Sequence, residues 1–493
     1  MTQARRIWRN SFFATLSQFI RLATNFLMFV GIARLYGVES FGQFTTAHTL
    51  STVFLLAADF GFDVLVAMEI ARKRSQAVDI ARRYFSQKVL FAGTATLGMV
   101  GLSFIGSFSP QTRTLVQIFA LYVFGASLNN FFFALFKGFE EFHHETRISS
   151  WINGALLALL VLLGVLRVPV QAIALAFVLT RFLGVALAAG VAHRLAGASV
   201  LHLTFDRWRE TWRTVAVFGS HFLFGNLFFV LDTILLSLWR GDRDVGIYQA
   251  AYKIVTLTLI IPDIAINTMI PVLARLHAGH DERWATLGRL LNKVLSLLGL
   301  PVGLVMLVYP GQIISALYGG STFQEAGAVL RLFAVTVFVR FAVESYGIMI
   351  TTAQRQVVRM YIVIAATAVN FALNAYMIPR YGPEGAAAVS LFTNLCVGAA
   401  YVIGSRQPFL RWTGDPRYLA ALGATVGIGL CAWQFQEVTV WVTVPVTLAL
   451  CALSAGAIGL SRPELQLLMA RPDRMTAYAP DRETARTAER DPA

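Results

Sequence analysis

The sequence predicts an all-α polytopic membrane protein with about fourteen transmembrane helices. Three observations support this fold class. The 493 residues are 56% hydrophobic and only 14% charged, with a mean hydropathy of +0.63, which excludes an ordinary water-soluble domain. The apolar residues fall in segments of about 20, the length that crosses the hydrocarbon core of a bilayer as a helix. No polar linker divides the chain before about residue 460, so we expect one membrane bundle.

The apolar segments form two sets of six and a final pair. The first set is 11–33, 41–71, 86–108, 114–136, 148–166 and 171–192. The second set is 214–238, 247–273, 290–309, 327–351, 360–378 and 385–404, and the final pair is 418–435 and 438–460. These segments predict an N-terminal six-helix lobe over 1–200, a C-terminal six-helix lobe over 201–410, two additional transmembrane helices over 411–460 and a disordered cytoplasmic tail over 461–493.

The distribution of Lys and Arg predicts that both termini are cytoplasmic, because cytoplasmic loops keep an excess of these residues. With the N-terminus inside, about 28 basic residues fall on the cytoplasmic side and about six on the other. The six are Arg34, Arg113, Arg167, Arg240, Arg243 and Arg380. The net charge of +14 is therefore explained by loop orientation, and we expect no nucleic-acid partner.

Nothing in the sequence indicates an enzyme, a cofactor or a metal site. Cys396, Cys431 and Cys451 lie in apolar segments and match no metal-ligand spacing. A polytopic glycan polymerase or ligase would need a sizeable loop with acid, base or nucleophile, whereas the longest predicted outer loop, 310–326, holds one acid, Glu325, and no histidine. The chain contains no Walker loop, so we do not expect ATP to supply the energy.

A repeated glycine motif relates the two sets of six segments. The pattern G-x4-G occurs at Gly37 and Gly42 after the first segment, and again at Gly241 and Gly246 after the seventh. The offset is about 204 residues, and an aromatic residue follows each motif at the start of the next segment. Glycines permit the positive φ of a tight turn. An internal repeat of this kind is typical of transporters that enclose a central site between two related halves.

Several further motifs occur in a fixed order along the membrane region. They are 34–44, 59–62, 232–236, 245–248, 250–253, 271–275, Asn370, Asn374, 378–382 and 385–387. In this order and spacing they resemble the polysaccharide transporters, or Wzx-type lipid-linked oligosaccharide flippases, of the multidrug/oligosaccharidyl-lipid/polysaccharide exporter (MOP) superfamily. The resemblance covers most of the membrane region.

The resemblance implies a MATE-like fold in which two six-helix lobes form a V around a central cavity that opens to each membrane face in turn. The implied cargo is an oligosaccharide joined through pyrophosphate to a polyprenyl lipid, moved across a bacterial inner membrane during cell-surface polysaccharide synthesis. The expected partners are this lipid-linked oligosaccharide, membrane lipids, H⁺ or Na⁺, and other polysaccharide assembly proteins. A cation-coupled exporter of small amphiphilic drugs from the same superfamily is the alternative.

Five cationic side chains fall inside predicted segments, where ionisable residues are costly and usually face the bundle interior. Arg21, Arg181 and Arg340 lie near the middle of the first, sixth and tenth segments. Lys253 and Arg331 lie a turn or two inside the predicted outer face, where they could instead reach the interface. For the three deep arginines the alternative is an ion pair or carbonyl contact between helices.

Helical spacing adds to this set of candidates. Gln18, Arg21 and Asn25 share one face of the first segment, and a polar stripe of this kind turns away from lipid. Arg340 and Glu344 are an i, i+4 pair, so Arg340 could be neutralised locally. A pyrophosphate needs guanidinium or ammonium groups in the cavity. The predicted substrate-binding residues are Arg21, Asn25, Arg181, Lys253, Arg331 and Arg340.

Four acidic residues are candidates for ion coupling. Asp59 and Asp63 stand four apart, where repulsion between carboxylates would favour protonation of one; a cap or loop contact near the helix break is the alternative. Asp263 follows a proline and could either stabilise a kink or bind a coupling ion. Glu344 is the fourth candidate. His48 is expected to make an interior hydrogen bond.

Overall fold

The structure, a computed structural model, describes residues 3–197, 200–201, 230–279, 283–406, 415–434, 440–461 and 464. Side chains are described from residue 22 onward within these ranges, with the exception of Val440. The tail after 464 lies outside the described residues, as do most of the predicted seventh segment and the loop before it. Within the described ranges the chain is helical almost throughout.

The helices follow in chain order. They are α1 (Gln3–Asp59), α2 (Phe62–Arg72), α3 (Ala77–Ile105), α4 (Pro110–Gly138), α5 (Phe142–Val165), α6 (Val170–Ala196), α7 (Val230–Trp239), α8 (Asp242–Thr258), α9 (Ile260–Ala278), α10 (Arg283–Val308), α11 (Pro310–Tyr318), α12 (Ala326–Thr352), α13 (Gln356–Ser405), α14 (Pro416–Gln434) and α15 (Val440–Ser454). A 3₁₀ turn, Arg74–Gln76, precedes α3, and a π turn, Ala455–Gly459, follows α15.

Helix ends follow local sequence signals. At the start of α4 the Ser109 hydroxyl accepts the backbone N–H of Thr112 at 3.2 Å, and Pro110 occupies the first turn, where its missing N–H costs nothing. At the end of α6 the chain turns out of the helix at Gly197, whose φ of 68° suits a residue without Cβ.

Two of the longest helices are bent at glycine. Helix α1 is interrupted at Gly37, with φ 78° and ψ −179°, so it contains the first two predicted segments. Helix α13 is interrupted at Gly382, with φ 55° and ψ −133°, between Pro379 and Pro383, and it contains the eleventh and twelfth. The predicted turns at these places are therefore sharp bends between helices that follow each other directly.

The all-α membrane fold is confirmed. Among the described residues, nine helices are long and apolar enough to cross a membrane, and one of these is the bent helix α13. Helices α8 and α9 together form another, Asp242–Ala278. Because the described ranges omit parts of the chain, the predicted number of fourteen spans is not confirmed by this count.

The chain folds as two compact units. Unit 1 comprises Met1–Leu259, Tyr309–Thr336 and Val357–Val397, and unit 2 comprises Ile260–Val308, Val337–Gln356 and Gly398–Ala493. A large core in unit 1 joins α2, α3, α4, α5 and α6 through buried aromatic residues, including Phe62, Tyr84, Phe131, Phe132 and Phe136. The predicted division into lobes at residues 200 and 410 stays a prediction.

Within unit 1, the two copies of the glycine motif contact each other. Gly37 and Gly241 adopt almost the same conformation, with φ 78° and ψ −179° for the first and φ 92° and ψ −175° for the second. The second glycine of each motif lies where α1 and α8 cross. A Cβ on Gly42 would lie 1.7 Å from the backbone oxygen of Asp242, and one on Gly246 would lie 2.1 Å from that of Val38. The repeat predicted from sequence is thus a backbone-to-backbone helix crossing.

Polar contacts strengthen the same region of unit 1. The carboxylate of Asp242, in the first turn of α8, accepts the hydroxyls of Ser109 at 2.7 Å and Thr112 at 2.8 Å. The guanidinium of Arg34 donates to the carbonyl of Leu317 at 2.6 Å and to the carbonyl of Ala316. Both carbonyls lie at the C-terminal end of helix α11, where a positive charge is favourable. These contacts join segments of the first repeat, 1–200, to segments of the second.

We expect Gly246→Ala to destabilise the protein, because its methyl group would meet the backbone oxygen of Val38, which cannot rotate away. Overpacking of this kind costs about 1–3 kcal/mol. Gly93→Ala on α3 is the matched control, since no atom lies within 4 Å of its added Cβ. The apparent melting temperature of purified protein in detergent should fall for Gly246→Ala only. An equal fall in both variants would contradict the close crossing.

In unit 2, a buried lysine ties the last two helices to α10. Lys293 Nζ lies 2.9 Å from a carboxylate oxygen of Asp415, just before α14, and 3.0 Å from both oxygens of Glu464, beyond α15. The side chain of Lys293 is only 3% exposed. Along the same helix, Leu304 packs against Gly429 and Leu297 packs against Gly459. The C-terminal helices are therefore an integral part of this unit.

The contact at Asp415 predicts a pH dependence. The hydrogen bond from Lys293 holds the pKa of Asp415 below its ordinary value. A pKa that is lower in the folded than in the unfolded chain contributes stability above the ordinary value of about 4, which is lost as the pH falls through the folded-state value. We expect Asp415→Asn to lower the apparent melting temperature at about pH 7, with the difference shrinking as the pH falls below about 4. A difference that is constant across this range would exclude the linkage.

Candidate functional site

A group of basic side chains meets aromatic rings inside unit 1. His48 lies on the second half of α1, Arg181 on α6 and Lys253 on α8, and both cationic side chains lie within electrostatic reach of His48. Four rings surround His48, with centroid distances of 5.1–6.4 Å: Phe29, Phe119, Tyr122 and Phe177. We call His48, Arg181 and Lys253 the basic cluster. Two predicted substrate-binding residues, 72 positions apart in sequence, are thus brought together.

The cations of the basic cluster rest on aromatic faces. Lys253 Nζ lies 3.7 Å from the ring centroid of Phe29, and Arg181 Cζ lies 5.4 Å from that of Tyr122. Across the described part of the chain, no carboxylate forms a salt bridge with either side chain. The Nε of Arg181 is buried and, among the described residues, has no hydrogen-bond acceptor. Within the part of the chain that the structure describes, the site therefore presents a guanidinium and an amine that no carboxylate pairs with.

Unpaired cations beside aromatic rings suit an anionic ligand. A guanidinium and an ammonium can each donate charge-assisted hydrogen bonds to phosphate oxygens, and these bonds are stronger than those between neutral groups. Partial removal from water strengthens the attraction further. The rings can supply apolar contact area beside the charges. The side chains of the basic cluster thus have the chemistry that could bind an anion with one or two negative charges.

A second group, the acid triad, consists of Asp59, Asp63 and Lys88. Lys88 Nζ lies 2.7 Å from Asp59 Oδ1 and 2.9 Å from Asp63 Oδ1, and its side chain is fully buried. Asp59 also accepts the hydroxyl of Ser127 and the amide of Asn130, both at 2.8 Å. The two predicted coupling carboxylates are therefore adjacent, and they share one counter-ion.

Sequence reasoning missed Lys88. This lysine lies at the start of the third predicted segment, a position where lysine ordinarily reaches the membrane interface. The available signal was its place in an apolar helix next to a segment with two acids, since buried charges need partners.

Asp232 forms a third buried polar group in unit 1. Its carboxylate accepts the hydroxyl of Tyr248 and the amide of Asn374, both at 2.7 Å, and the Asn374 amide also bonds Asn370 at 2.9 Å. All four side chains are at most 6% exposed. Among the described residues, the Oδ1 atom of Asn374 has no hydrogen-bond donor. A carboxylate surrounded by neutral groups can hold a proton or a small cation.

The predicted charged residues of unit 2 also lie together. Arg340 and Glu344, one turn apart on α12, are both within electrostatic reach of Asp263 on α9. The predicted local neutralisation of Arg340 by Glu344 stays a prediction. These three residues belong to unit 2, whereas the basic cluster and the acid triad belong to unit 1.

The remaining predicted substrate-binding residues do not join a described cluster. Arg331 is exposed on α12, and Asn25 is half-buried on the first half of α1. The side chain of Arg21 lies outside those the structure describes, so its predicted role stays a prediction. Four of the six predicted residues therefore lack a described link to the basic cluster.

One further group could hold a metal ion, although the sequence predicts none. Among the described residues, Glu141, His143 and His144 at the turn between α4 and α5 place their ligand atoms within 4.8 Å of one another. His143 Nδ1 lies 3.1 Å from Glu141 Oε2. The group lies on a turn of the chain, outside the basic cluster and the acid triad.

Two family models and one curated relative match the sequence. The sequence model of the family described as polysaccharide biosynthesis protein matches residues 7–277, and that of the MatE family matches residues 219–377. A relative named "Probable flippase AglR", from Haloferax volcanii, is 31% identical over 171 residues. That match covers 33% of this chain and 35% of the relative, so the chain spans about a third of the relative's length.

Solved structures share the fold. "Lipid II flippase MurJ, inward closed conformation" has a TM-score of 0.73 at 12% identity and covers 90% of this chain and 98% of that one. An inward-facing multidrug resistance MATE family transporter of the MOP superfamily has a TM-score of 0.63 at 14% identity, covering 82% and 95%. At these identities the likeness concerns the fold alone.

The fold is that of solved transporters of the MOP superfamily, and two related family models match the sequence. Within that superfamily, the chain belongs to the polysaccharide biosynthesis protein family, whose model covers more than half of its residues. The predicted resemblance is thereby confirmed. The relatives are transporters and flippases, in agreement with the expectation that this chain is not an enzyme.

Proposed function

We propose that this protein translocates a polyprenyl-pyrophosphate-linked oligosaccharide across a bacterial inner membrane by alternating access. The observation that supports this cargo is the basic cluster, where Arg181 and Lys253 meet without a carboxylate partner among the described residues. The pyrophosphate bridge of such a lipid is anionic whatever sugars it carries. Its charge cannot enter hydrocarbon alone, and two fixed cations would stabilise it within the protein.

The proposal includes the expected surroundings of the protein. Both termini are placed in the cytoplasm because of the Lys and Arg distribution. The cargo would be supplied by glycan-assembly enzymes on that side and used by polysaccharide assembly proteins on the other. The names of the similar proteins AglR and MurJ, which are flippases, support a lipid-linked cargo.

A cation-coupled exporter of small amphiphiles is the second candidate. The MatE match over residues 219–377 includes Asp232, whose buried carboxylate has only neutral partners among the described residues. A carboxylate of this kind suits cationic drugs or a coupling ion. The basic cluster opposes this interpretation, since a cationic drug would be repelled by an uncompensated guanidinium and ammonium.

The two candidates differ in the sign of the transported charge, and this can be tested directly. Purified protein in liposomes should move a fluorescent polyprenyl-pyrophosphate disaccharide between leaflets, measured by its accessibility to an impermeant quencher. The matched monophosphate lipid should move more slowly, because it carries less charge for the basic cluster. Transport of ethidium without transport of the pyrophosphate lipid would replace the flippase proposal with the exporter.

A further inference from the structure

The acid triad lies at a break in the backbone between two helices. Helix α1 ends at Asp59, and α2 begins at Phe62. The two intervening residues, Phe60 and Gly61, have positive φ values of 34° and 79°. A left-handed conformation at a phenylalanine is uncommon and persists only where the surroundings hold it. The carboxylates of Asp59 and Asp63 thus stand on opposite sides of a strained joint.

The charges of the triad do not cancel. One ammonium, Lys88, serves two carboxylates, so the group carries one net negative charge when all three are ionised. Among the described residues, the further charged group within electrostatic reach of Asp63 is Lys137 from α4, which also pairs with Glu145 at 3.3 Å. Partly buried charge without full compensation is costly in a membrane bundle, and binding of one positive charge would relieve it.

The two carboxylates differ in their hydrogen bonds. Asp59 accepts three, from Lys88, Ser127 and Asn130, which together occupy both of its oxygens. Asp63 accepts one from Lys88 on Oδ1, its one side-chain hydrogen bond among the described residues. Its side chain is 30% exposed, against 19% for Asp59, so protein atoms enclose it less completely. Asp63 is therefore the member of the triad with room for a further partner.

From this geometry we infer that Asp63 is a proton-binding site, and that Asp59 and Lys88 form a fixed ion pair beside it. A proton fits better than a sodium ion. A metal cation at Asp63 would stand next to the Lys88 ammonium, which repels it, whereas a protonated carboxyl group is neutral and adds no repulsion. On protonation the triad becomes one neutral carboxyl group and one balanced ion pair.

The role of this proton rests on the proposed transport function. A proton bound at the joint between α1 and α2 would couple a proton gradient to the movement of these helices. When the proton leaves, both aspartates are again ionised, and the Lys88 ammonium attracts the carboxylate of Asp63. Protonation weakens that attraction and frees the start of α2 from α3. The two states of one carboxyl group would thus favour two positions of the joint.

Infrared difference spectroscopy of the full-length protein tests the site without any cargo. On acidification, the wild type should show the C=O stretch of a buried protonated carboxyl group. Asp63→Asn should remove one band, which is thereby assigned to Asp63, while the bands of other buried acids such as Asp232 remain. Asp59→Asn should keep the Asp63 band and shift its appearance to lower pH, because Lys88 would then serve Asp63 alone. Glu39→Gln, an exposed acid on α1, is the control and should leave the band unchanged.

The outcomes separate the two proposals. Loss of the band in Asp59→Asn, together with its retention in Asp63→Asn, would place the proton on Asp59 and overturn the inference. Absence of the band from the wild type would also overturn it. In liposomes with a pH gradient, Asp63→Asn should move the pyrophosphate lipid at a rate that no longer responds to the gradient. A normal band with no lipid transport by the wild type would overturn the proposed cargo and leave the proton site intact.

Discussion

The double substitution Arg181→Gln and Lys253→Gln should lower the initial rate of pyrophosphate-lipid translocation at least about 100-fold. Each hydrogen bond between a charged donor and phosphate contributes about 1.5–3 kcal/mol, and this variant removes two. Both side chains lie on aromatic rings and lack a described carboxylate partner, so their removal leaves no buried anion behind. The rate is measured with the quenching assay in liposomes.

Two comparisons show whether the loss concerns charge at this site. Lys253→Arg keeps the charge and should retain more transport than Lys253→Gln. Arg243→Gln removes an exposed guanidinium that pairs with Glu325 at 2.7 Å, and it should change the rate little. If the double variant moved the pyrophosphate lipid as fast as the wild type, the basic cluster would have no role in cargo binding.

The substitution Lys88→Met should have the largest effect on stability. It removes the ammonium that forms salt bridges with both Asp59 and Asp63, and breaking a buried ion pair from one side costs about 3–5 kcal/mol. We expect a large fall in the apparent melting temperature and in the yield of folded protein from detergent extracts. Lys73→Met, an exposed lysine beside the same helices, should be nearly neutral.

A compensating variant tests the cause of this loss. Adding Asp59→Asn and Asp63→Asn to Lys88→Met removes the uncompensated carboxylates and should recover much of the lost stability. Recovery would show that the cost is electrostatic. If the triple variant were less stable than Lys88→Met alone, the lost packing of the lysine stem would account for most of the destabilisation.

The fold was predictable because hydrophobic length and glycine are local signals. Segments of about 20 apolar residues indicated membrane helices, and the paired glycine motifs indicated related halves. The conformations of Gly37 and Gly241 agree with this expectation. That Gly42 and Gly246 would contact each other's helices was not predictable, because a repeat identifies equivalent positions but not which of them meet.

The candidate site was predictable only in part. The sequence identified Arg181 and Lys253 as intramembrane cations, but their approach to His48 depends on the packing of three helices. Helical spacing placed Asp59 and Asp63 on one face, yet their counter-ion, Lys88, comes from the next helix. Periodicity describes one helix at a time, whereas ion pairs between helices require the tertiary arrangement.

The crossing of α1 over α8 has a mechanical consequence for the acid triad. The backbones of α1 and α8 are already in contact at Gly42, so the remainder of α1 can tilt about this crossing but cannot move closer to α8 there. Asp59 lies about 17 residues farther along α1, which is a distance of about 26 Å at 1.5 Å per residue. A tilt of α1 by about 10° about this point would move Asp59 by about 4–5 Å, which is longer than a hydrogen bond and would separate Asp59 from Lys88.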